Sequence, residues 1–364
     1  MKLKISKEQI LKGLQITQGV IGSRSTLPIL SNVLVETDGD KIWLTATDLE
    51  VSVRCSIPAE IEQAGSTTLP AKKLFSIIRE LAGADLSIEV DDKSFSSLIS
   101  GSSFFKLLGL PREEFPPLPK VDSGFAYTLD QAVLKEMLTK TAYAASADES
   151  RPFLNGVLLS FKNDKMTAVA TDGRRLALIE TDLEFPKDAE GDLIIPSKTV
   201  NELLHDLGDE GQVKIRAAKS QLSFEFGELL LLSKLIEGSY PNFRQVIPSQ
   251  AEHRITIERE TLLAAVKRVA LMTNDRSNSV KLTFGKNKLV VSAQTPDLGE
   301  AEETIPIKFA AAEINVAFNP EFILDPLRHL TSDEVYLELN DELSPGVIKC
   351  DRPFLYVLMP MRIG

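Results

Sequence analysis

The chain has 364 residues, 43% hydrophobic and 26% charged, which is the balance of a globular protein and excludes a disordered or fibrous one. Its formal net charge of −11 argues against a surface that is basic throughout, although net charge does not say where the charges sit. No apolar run reaches the roughly 18 residues that span a bilayer, and the two cysteines, Cys55 and Cys350, are too far apart for a metal-type spacing or a disulfide framework. The opening MKLKISKEQI lacks the apolar core and cleavage site of a signal peptide, so a cytoplasmic location with no membrane partner is expected.

Residues 2–6 alternate as a strand does. Residues 7–20 put Ile10, Leu11, Leu14 and Ile16 or Thr17 on one helical face, with Ser6 as N-cap, Gln9 completing the cap pattern, and Gly19 and Gly22 near the stop. A hairpin is expected over 33–46, a strand over 51–57, a short strand between Gly65 and Pro70, and a helix over 72–81. Hairpin strands follow at 86–90 and 95–99, then an apolar strand at 104–110. The run PREEFPPLPKVDSG at 111–124 is rich in proline and polar residues and reads as a domain boundary.

The second third repeats this grammar. A helix is expected over 128–145, with Leu134, Met137 or Leu138, and Thr141 on one face. Val157–Phe161 and Met166–Ala170 form a hairpin around a polar turn at 162–164. Pro196, like Pro70, falls in the first turn of a helix that ends in glycine, Gly208 in one case and Gly83 in the other. Strands are expected at 212–217, 222–226 and 229–235, and EGSYPNFRQVIP at 237–248 mirrors the earlier proline-rich run. In the last third, Ile255 and Ile257 suit a strand and 260–272 a helix. Asn319-Pro320-Glu321 opens a helix ending near Leu330, and strands close the chain at 335–339, 346–350 and 355–358.

Ala46-Thr47-Asp48-Leu49 returns as Ala170-Thr171-Asp172-Gly173, and Leu30-Ser31-Asn32-Val33-Leu34 as Leu154-Asn155-Gly156-Val157-Leu158. A weaker copy over 277–297 places Thr295 at the same spacing again. A repeat at one third of the chain length implies three similar domains, expected over 1–122, 123–249 and 250–364, rather than a solenoid. Each is an α+β module with two helices and a largely antiparallel sheet.

Chemistry is sparse. There is no glycine-rich phosphate loop and no His-Glu-x-x-His pair, and the three histidines, His205, His253 and His329, are scattered. Asp48 and Asp172 could act as nucleophilic or metal-binding carboxylates. An Asp at a strand end also accepts backbone N–H groups and fixes a turn, and a pair kept in two modules that diverge around it fits that role more simply. No catalytic residue, metal or cofactor is therefore expected. The helical segments carry slightly more Lys and Arg than Asp and Glu within an acidic chain, which is either segregated charge or ordinary solvated helix faces.

Over its whole length the chain resembles the bacterial sliding clamps, the β subunits of DNA polymerase III. The residues that carry the resemblance are Thr26-Leu27-Pro28-Ile29-Leu30, Thr45-Ala46-Thr47-Asp48-Leu49-Glu50, Asn155-Gly156, Ala170-Thr171-Asp172-Gly173-Arg174-Arg175-Leu176, Tyr240-Pro241 and Met359-Pro360-Met361-Arg362. Two features depart from the family pattern: Arg174 stands where several relatives have histidine, and Gly364 extends the usual apolar terminus. The resemblance implies three domains of the DNA-clamp fold and a head-to-tail dimeric ring, with helices around double-stranded DNA and sheets outside. It implies a processivity factor without enzymatic activity. Its expected partners are DNA held non-specifically, a second copy of the chain, the polymerase III catalytic subunit, the clamp loader and other proteins with clamp-binding motifs.

Carried over by position, the resemblance places Arg24, Lys72, Lys73, Arg151 and Lys198 near DNA phosphates. It places Lys73, Ile77, Phe105 and Leu107 opposite Leu271, Met272 and the acidic run 300–303 in the ring closure. A partner-peptide groove between the second and third domains would draw on Leu154, Thr171, Gly173, Arg174, Arg175, Leu176, Pro241, Val246, Val357, Met359, Pro360, Met361 and Arg362. Two other functions compete with this reading: a hydrolase using Asp48 and Asp172, and a three-module scaffold that never touches DNA.

Overall fold

The computed structural model describes residues 1–22, 27–121, 124–274 and 278–362. These form two compact units, one of Met1–Lys135 with Asn201–Leu235 and one of Glu136–Val200 with Ile236–Gly364.

The first unit holds two antiparallel sheets. The smaller runs, in spatial order, Glu60–Gln63, Lys2–Ser6, Asp85–Val90, Phe95–Ser100 and Ser103–Leu108. The larger runs Phe125–Asp130, Gln212–Ala217, Gln221–Phe226, Leu229–Lys234, Val51–Pro58, Lys41–Thr47, Asn32–Asp38 and Ser66–Pro70. Helices α1 (Lys7–Gln18) and α2 (Ala71–Glu80) cover a core that includes Leu3, Ile10, Leu14, Leu44, Leu69 and Leu74, all fully buried. Helix α1 starts where expected because Ser6 Oγ accepts from Gln9 N at 3.3 Å, filling one of the open donors of the first turn. Its inward face carries Ile10, Leu14 and Thr17 as the spacing predicts, together with Gly13. A side chain at Gly13 would meet Ile57 Cδ1 at 2.1 Å, so glycine is what lets the helix lie close to the sheet. Truncating a buried leucine such as Leu14 to alanine costs about 2–5 kcal/mol in cores of this kind.

The chain passes between the units within helices α3 (Gln131–Thr139) and α4 (Ser197–Asp206), and again after Leu235. In the second unit the larger antiparallel sheet runs Gly191–Pro196, Gly156–Lys162, Lys165–Thr171, Arg175–Asp182, Phe354–Leu358, Gly346–Lys349, Glu334–Leu339 and His253–Glu258. The smaller runs Gly299–Pro306, Lys288–Thr295, Val280–Gly285 and Ile314–Phe318. Helices α5 (Arg259–Val269) and α6 (Pro320–His329) complete it. Asn319 caps α6 by accepting from Glu321 N at 2.9 Å, with Pro320 in the first turn. The hairpin turn at 162–164 is tight, with φ of 56° at Asn163 and 55° at Asp164.

Several expectations need correction. The single helix over 128–145 is three elements. Thr128 lies in a strand and pairs with Lys214, the helix occupies only Gln131–Thr139, and a 3-10 turn follows at Ala142–Ala144. Thr141 Oγ1 donates to Met137 O at 2.8 Å, the kind of local bond that competes with helix continuation. The helix over 260–272 likewise tightens into a 3-10 turn at Ala270–Met272. Pro70 and Pro196 are the last residues of strands and precede their helices rather than entering the first turn. The strand Glu60–Gln63 is one that the sequence pattern does not mark, and residue 277 of the third hairpin copy lies outside the described residues.

Candidate functional site

The repeated Thr-Asp pair builds a turn. Thr171 Oγ1 donates to Arg175 O at 2.6 Å and accepts from Gly173 N at 3.1 Å. Asp172 Oδ1 accepts from Arg174 N at 2.8 Å and Arg175 N at 3.1 Å. Gly173 takes a φ of 89°, which glycine reaches without strain. The aspartates at both copies are thereby engaged in holding backbone, as Asp48 Oδ1 accepts from Glu50 N at 2.9 Å and Val51 N at 2.7 Å.

The turn delivers Arg175 to the second unit's interior. Its guanidinium pairs with Asp325 on α6, lies 3.2 Å from Asp172 Oδ2, and donates to Tyr143 O at 2.6 Å. It also sits over the Phe322 ring, 4.5 Å from the centroid. Tyr143 stacks on His329 with centroids 4.8 Å apart, and burial pushes its phenol well above the usual range. Arg175 is thus committed to intrachain partners, whereas Arg174 is exposed beside Phe322. Asp325, Phe322 and Tyr143 are invisible to sequence reasoning because they come from elements remote in sequence, and no local pattern marks them.

The apolar residues expected in a groove fall into two groups. Leu154, Leu176 and Val357 are buried, Leu176 and Val357 being cross-strand partners within one cluster with Leu158, Val169 and Ile194. Val246, Met359 and Met361 are exposed, at 49%, 42% and 39%. Pro360 is half-buried, and Pro241 and Arg362 are exposed. The terminal segment is fixed rather than frayed: Met359 N donates to Arg174 O at 2.9 Å and Met361 N to Ala317 O at 2.7 Å. One tail therefore ties to both sheets of its unit and leaves the Met359 and Met361 side chains exposed. A separate hollow of about 650 Å³ is lined by strands of the larger sheet and by residues 240–244, and of the residues expected in the groove it includes Pro241. Charged groups there pair with one another, as in Lys162–Asp192 at 2.6 Å and Arg244–Glu180 at 3.3 Å.

Of the residues expected near DNA, Arg24 lies outside the described residues. Lys72 and Lys73 stand exposed in the first turn of α2 and form no ion pair among the described residues. Lys198 is half-buried in the first turn of α4. Arg151 pairs with Asp148 at 2.9 Å and donates to Asp172 O at 3.4 Å, which places it behind the Thr171–Arg175 turn.

Of the ring-closure candidates, Phe105 and Leu107 lie on a sheet edge, Lys73 and Ile77 on α2, and Leu271 and Met272 in the 3-10 turn after α5. Ser103–Leu108 is an edge strand that exposes Phe104, Phe105 and Leu108, while Leu107 and Ile77 pack half-buried on the first unit's core and Lys73 remains exposed. In the second unit Gly299–Pro306 is an edge strand bearing Glu300, Glu302 and Glu303. Beside it Leu271 is 76% exposed, and the Met272 carbonyl accepts from Thr295 Oγ1 at 2.6 Å. Among the described residues no group of three or more His, Cys, Asp and Glu is arranged to hold a metal ion. Both cysteines are buried free thiols, that of Cys55 pushed up to about 12 by burial and the nearby Asp206.

The fold is that of a repeat-built α+β protein with antiparallel sheets, a DNA-clamp architecture. Models of the N-terminal, central and C-terminal domains of the DNA polymerase III beta subunit match residues 1–119, 128–242 and 244–362, and the chain belongs to that family. It is 37% identical over 363 residues to a protein named beta sliding clamp from Chlamydia muridarum, covering 100% of this chain and 99% of the relative. It is 32% identical over 368 residues to the beta sliding clamp of Escherichia coli (strain K12), covering 100% of both chains. Among solved structures it is similar to a DnaN sliding clamp (DNA polymerase III subunit beta) from Bartonella birtlesii bound to griselimycin, with a TM-score of 0.95, 34% identity and complete coverage of both chains. A DNA polymerase sliding clamp from Bacillus subtilis matches with a TM-score of 0.95 and 29% identity, again over 100% of both chains. No helix among the described residues is long and apolar enough to cross a membrane.

Proposed function

We propose that the chain is a DNA sliding clamp whose two copies close head to tail around duplex DNA and tether the replicative polymerase to its template. The observation that carries this is the succession of three family domains at residues 1–119, 128–242 and 244–362, with relatives covered over 99–100% of their length named as sliding clamps. The modules meet near residues 122 and 249. The ring performs no reaction: Asp48 and Asp172 are held by backbone N–H groups, which supports a scaffold over a hydrolase. It works in the cytoplasm.

DNA is gripped through phosphates alone, so Arg24, Lys72, Lys73, Arg151 and Lys198 need only neutralise a few charges. Tight or base-specific contacts would stop sliding, and the acidic remainder of the chain, at −11 overall, repels DNA from the outer surface. Enclosure replaces affinity. Ring closure joins the edge strand containing Phe105 and Leu107 to the Leu271–Met272 turn of the other copy, since an exposed apolar edge is a liability unless it is paired or covered.

The polymerase, the loader and other clamp-binding proteins dock as short extended peptides. Val246, Met359 and Met361 give an adaptable apolar surface over a floor of Leu154, Leu176 and Val357, and Arg174 faces the peptide's polar or acidic flank. Deleting Met359–Gly364 tests this. The dimer and DNA enclosure survive, while binding of a Gln- and Leu-containing clamp-binding peptide and polymerase stimulation are lost. Unchanged peptide affinity would refute the groove.

A further inference from the structure

The backbone of the docking turn is built twice. In the first unit Thr47 Oγ1 donates to Val51 O at 3.1 Å and accepts from Leu49 N at 3.0 Å, repeating the bonds of Thr171. Asp48 repeats the two backbone bonds of Asp172. The strand after each turn pairs with a later strand, Val51–Pro58 with Leu229–Lys234 and Arg175–Asp182 with Phe354–Leu358. Lys234 N then donates to Glu50 O at 2.9 Å, as Met359 N does to Arg174 O at 2.9 Å. Beside the first copy lies a hollow of about 270 Å³ whose walls include Leu49, Leu118, Leu232 and the prolines at 116, 117 and 119.

The rims differ. Glu50 stands in the place of Arg174 and Lys234 in that of Met359, and Lys234 Nζ lies 2.8 Å from Glu50 Oε1. Leu49, at a φ of 77°, replaces Gly173. We propose that the Glu50–Lys234 ion pair is the specificity determinant that keeps peptides out of this hollow, so that each chain offers one docking groove although its fold builds two. This rests on reading the Arg174–Met359 surface as a groove for extended peptides. Lys234 and Glu50 are 50% and 64% exposed, so an apolar anchor entering the first hollow takes water from an ammonium and a carboxylate without giving either a new partner, a cost that opposes burial of the anchor. At the second copy Arg174 enters no ion pair among the described residues, and a thioether meets the anchor instead.

Calorimetric titration of the full chain with a Gln- and Leu-containing extended peptide decides the matter. Wild type binds one peptide per chain. E50R/K234M, which installs the second copy's rim on the first, binds two, and the neutral E50Q/K234M also acquires a second, weaker site. The reciprocal R174E/M359K weakens the original site at least tenfold. Thermal melts confirm that each variant is folded, and if E50R/K234M is not, E50Q/K234M decides. Wild type binding no peptide overturns the groove reading and the proposal with it. Wild type at one per chain, with both Glu50/Lys234 variants still at one, overturns the proposal alone, as does wild type at two.

Discussion

Arg175 pairs with Asp325, joining the strand that leaves the repeated turn in the central family domain to helix α6 of the C-terminal one. The pair is mostly buried, at 11% and 19% side-chain exposure, and Arg175 also holds Asp172 and the Tyr143 carbonyl. Removing Asp325 leaves the Arg175 charge in a poorly solvated place with one of its two carboxylate partners gone. Asp325→Ala should therefore destabilise the second unit by about 3 kcal/mol in urea unfolding. Asp325→Asn, which keeps a hydrogen-bond acceptor, should cost less. Equal stability of wild type and Asp325→Ala would mean that the pair does not organise the unit.

Leu271 is the most exposed of the apolar residues placed at the ring closure, and burying such a side chain contributes about 1.5–3 kcal/mol. Leu271→Ala with Met272→Ala should convert a dimer of twice 40.1 kDa into monomers in sedimentation at nanomolar concentration. A full dimer under those conditions would place the interface elsewhere.

Lys72 and Lys73 stand in solvent, and Lys198 opens α4. Replacing any one by alanine should lower the slope of log affinity against log salt by about 0.9 for duplex DNA, with no change in sequence preference. Strong sequence preference in the wild type would contradict contact through phosphates.

Much of this was legible in the sequence because local physics decided it. Ser6 capped α1, Asn319 capped α6, and the turn at 162–164 closed its hairpin, each through residues adjacent in the chain. The Thr-Asp repeat announced both the module period and its own turn-holding role. What failed was where the neighbouring sheet overrode a helical pattern, as at Thr128, which pairs with Lys214. The sequence also could not show that Leu176 and Val357 are cross-strand core while Val246, Met359 and Met361 face outward, because that division is made by strand pairing. Nothing adjacent in the chain marks Asp325 as the partner of Arg175, and only the fold brings the two together.

Enclosure of DNA is tested by retention on circular against linear DNA. The clamp is loaded by its loader onto a nicked plasmid and washed at about 0.5 M salt, where phosphate contacts alone fail. It should stay on the circle and leave once a single cut gives the DNA ends. Equal retention on both forms, or loss from the intact circle as salt rises, would contradict a closed ring.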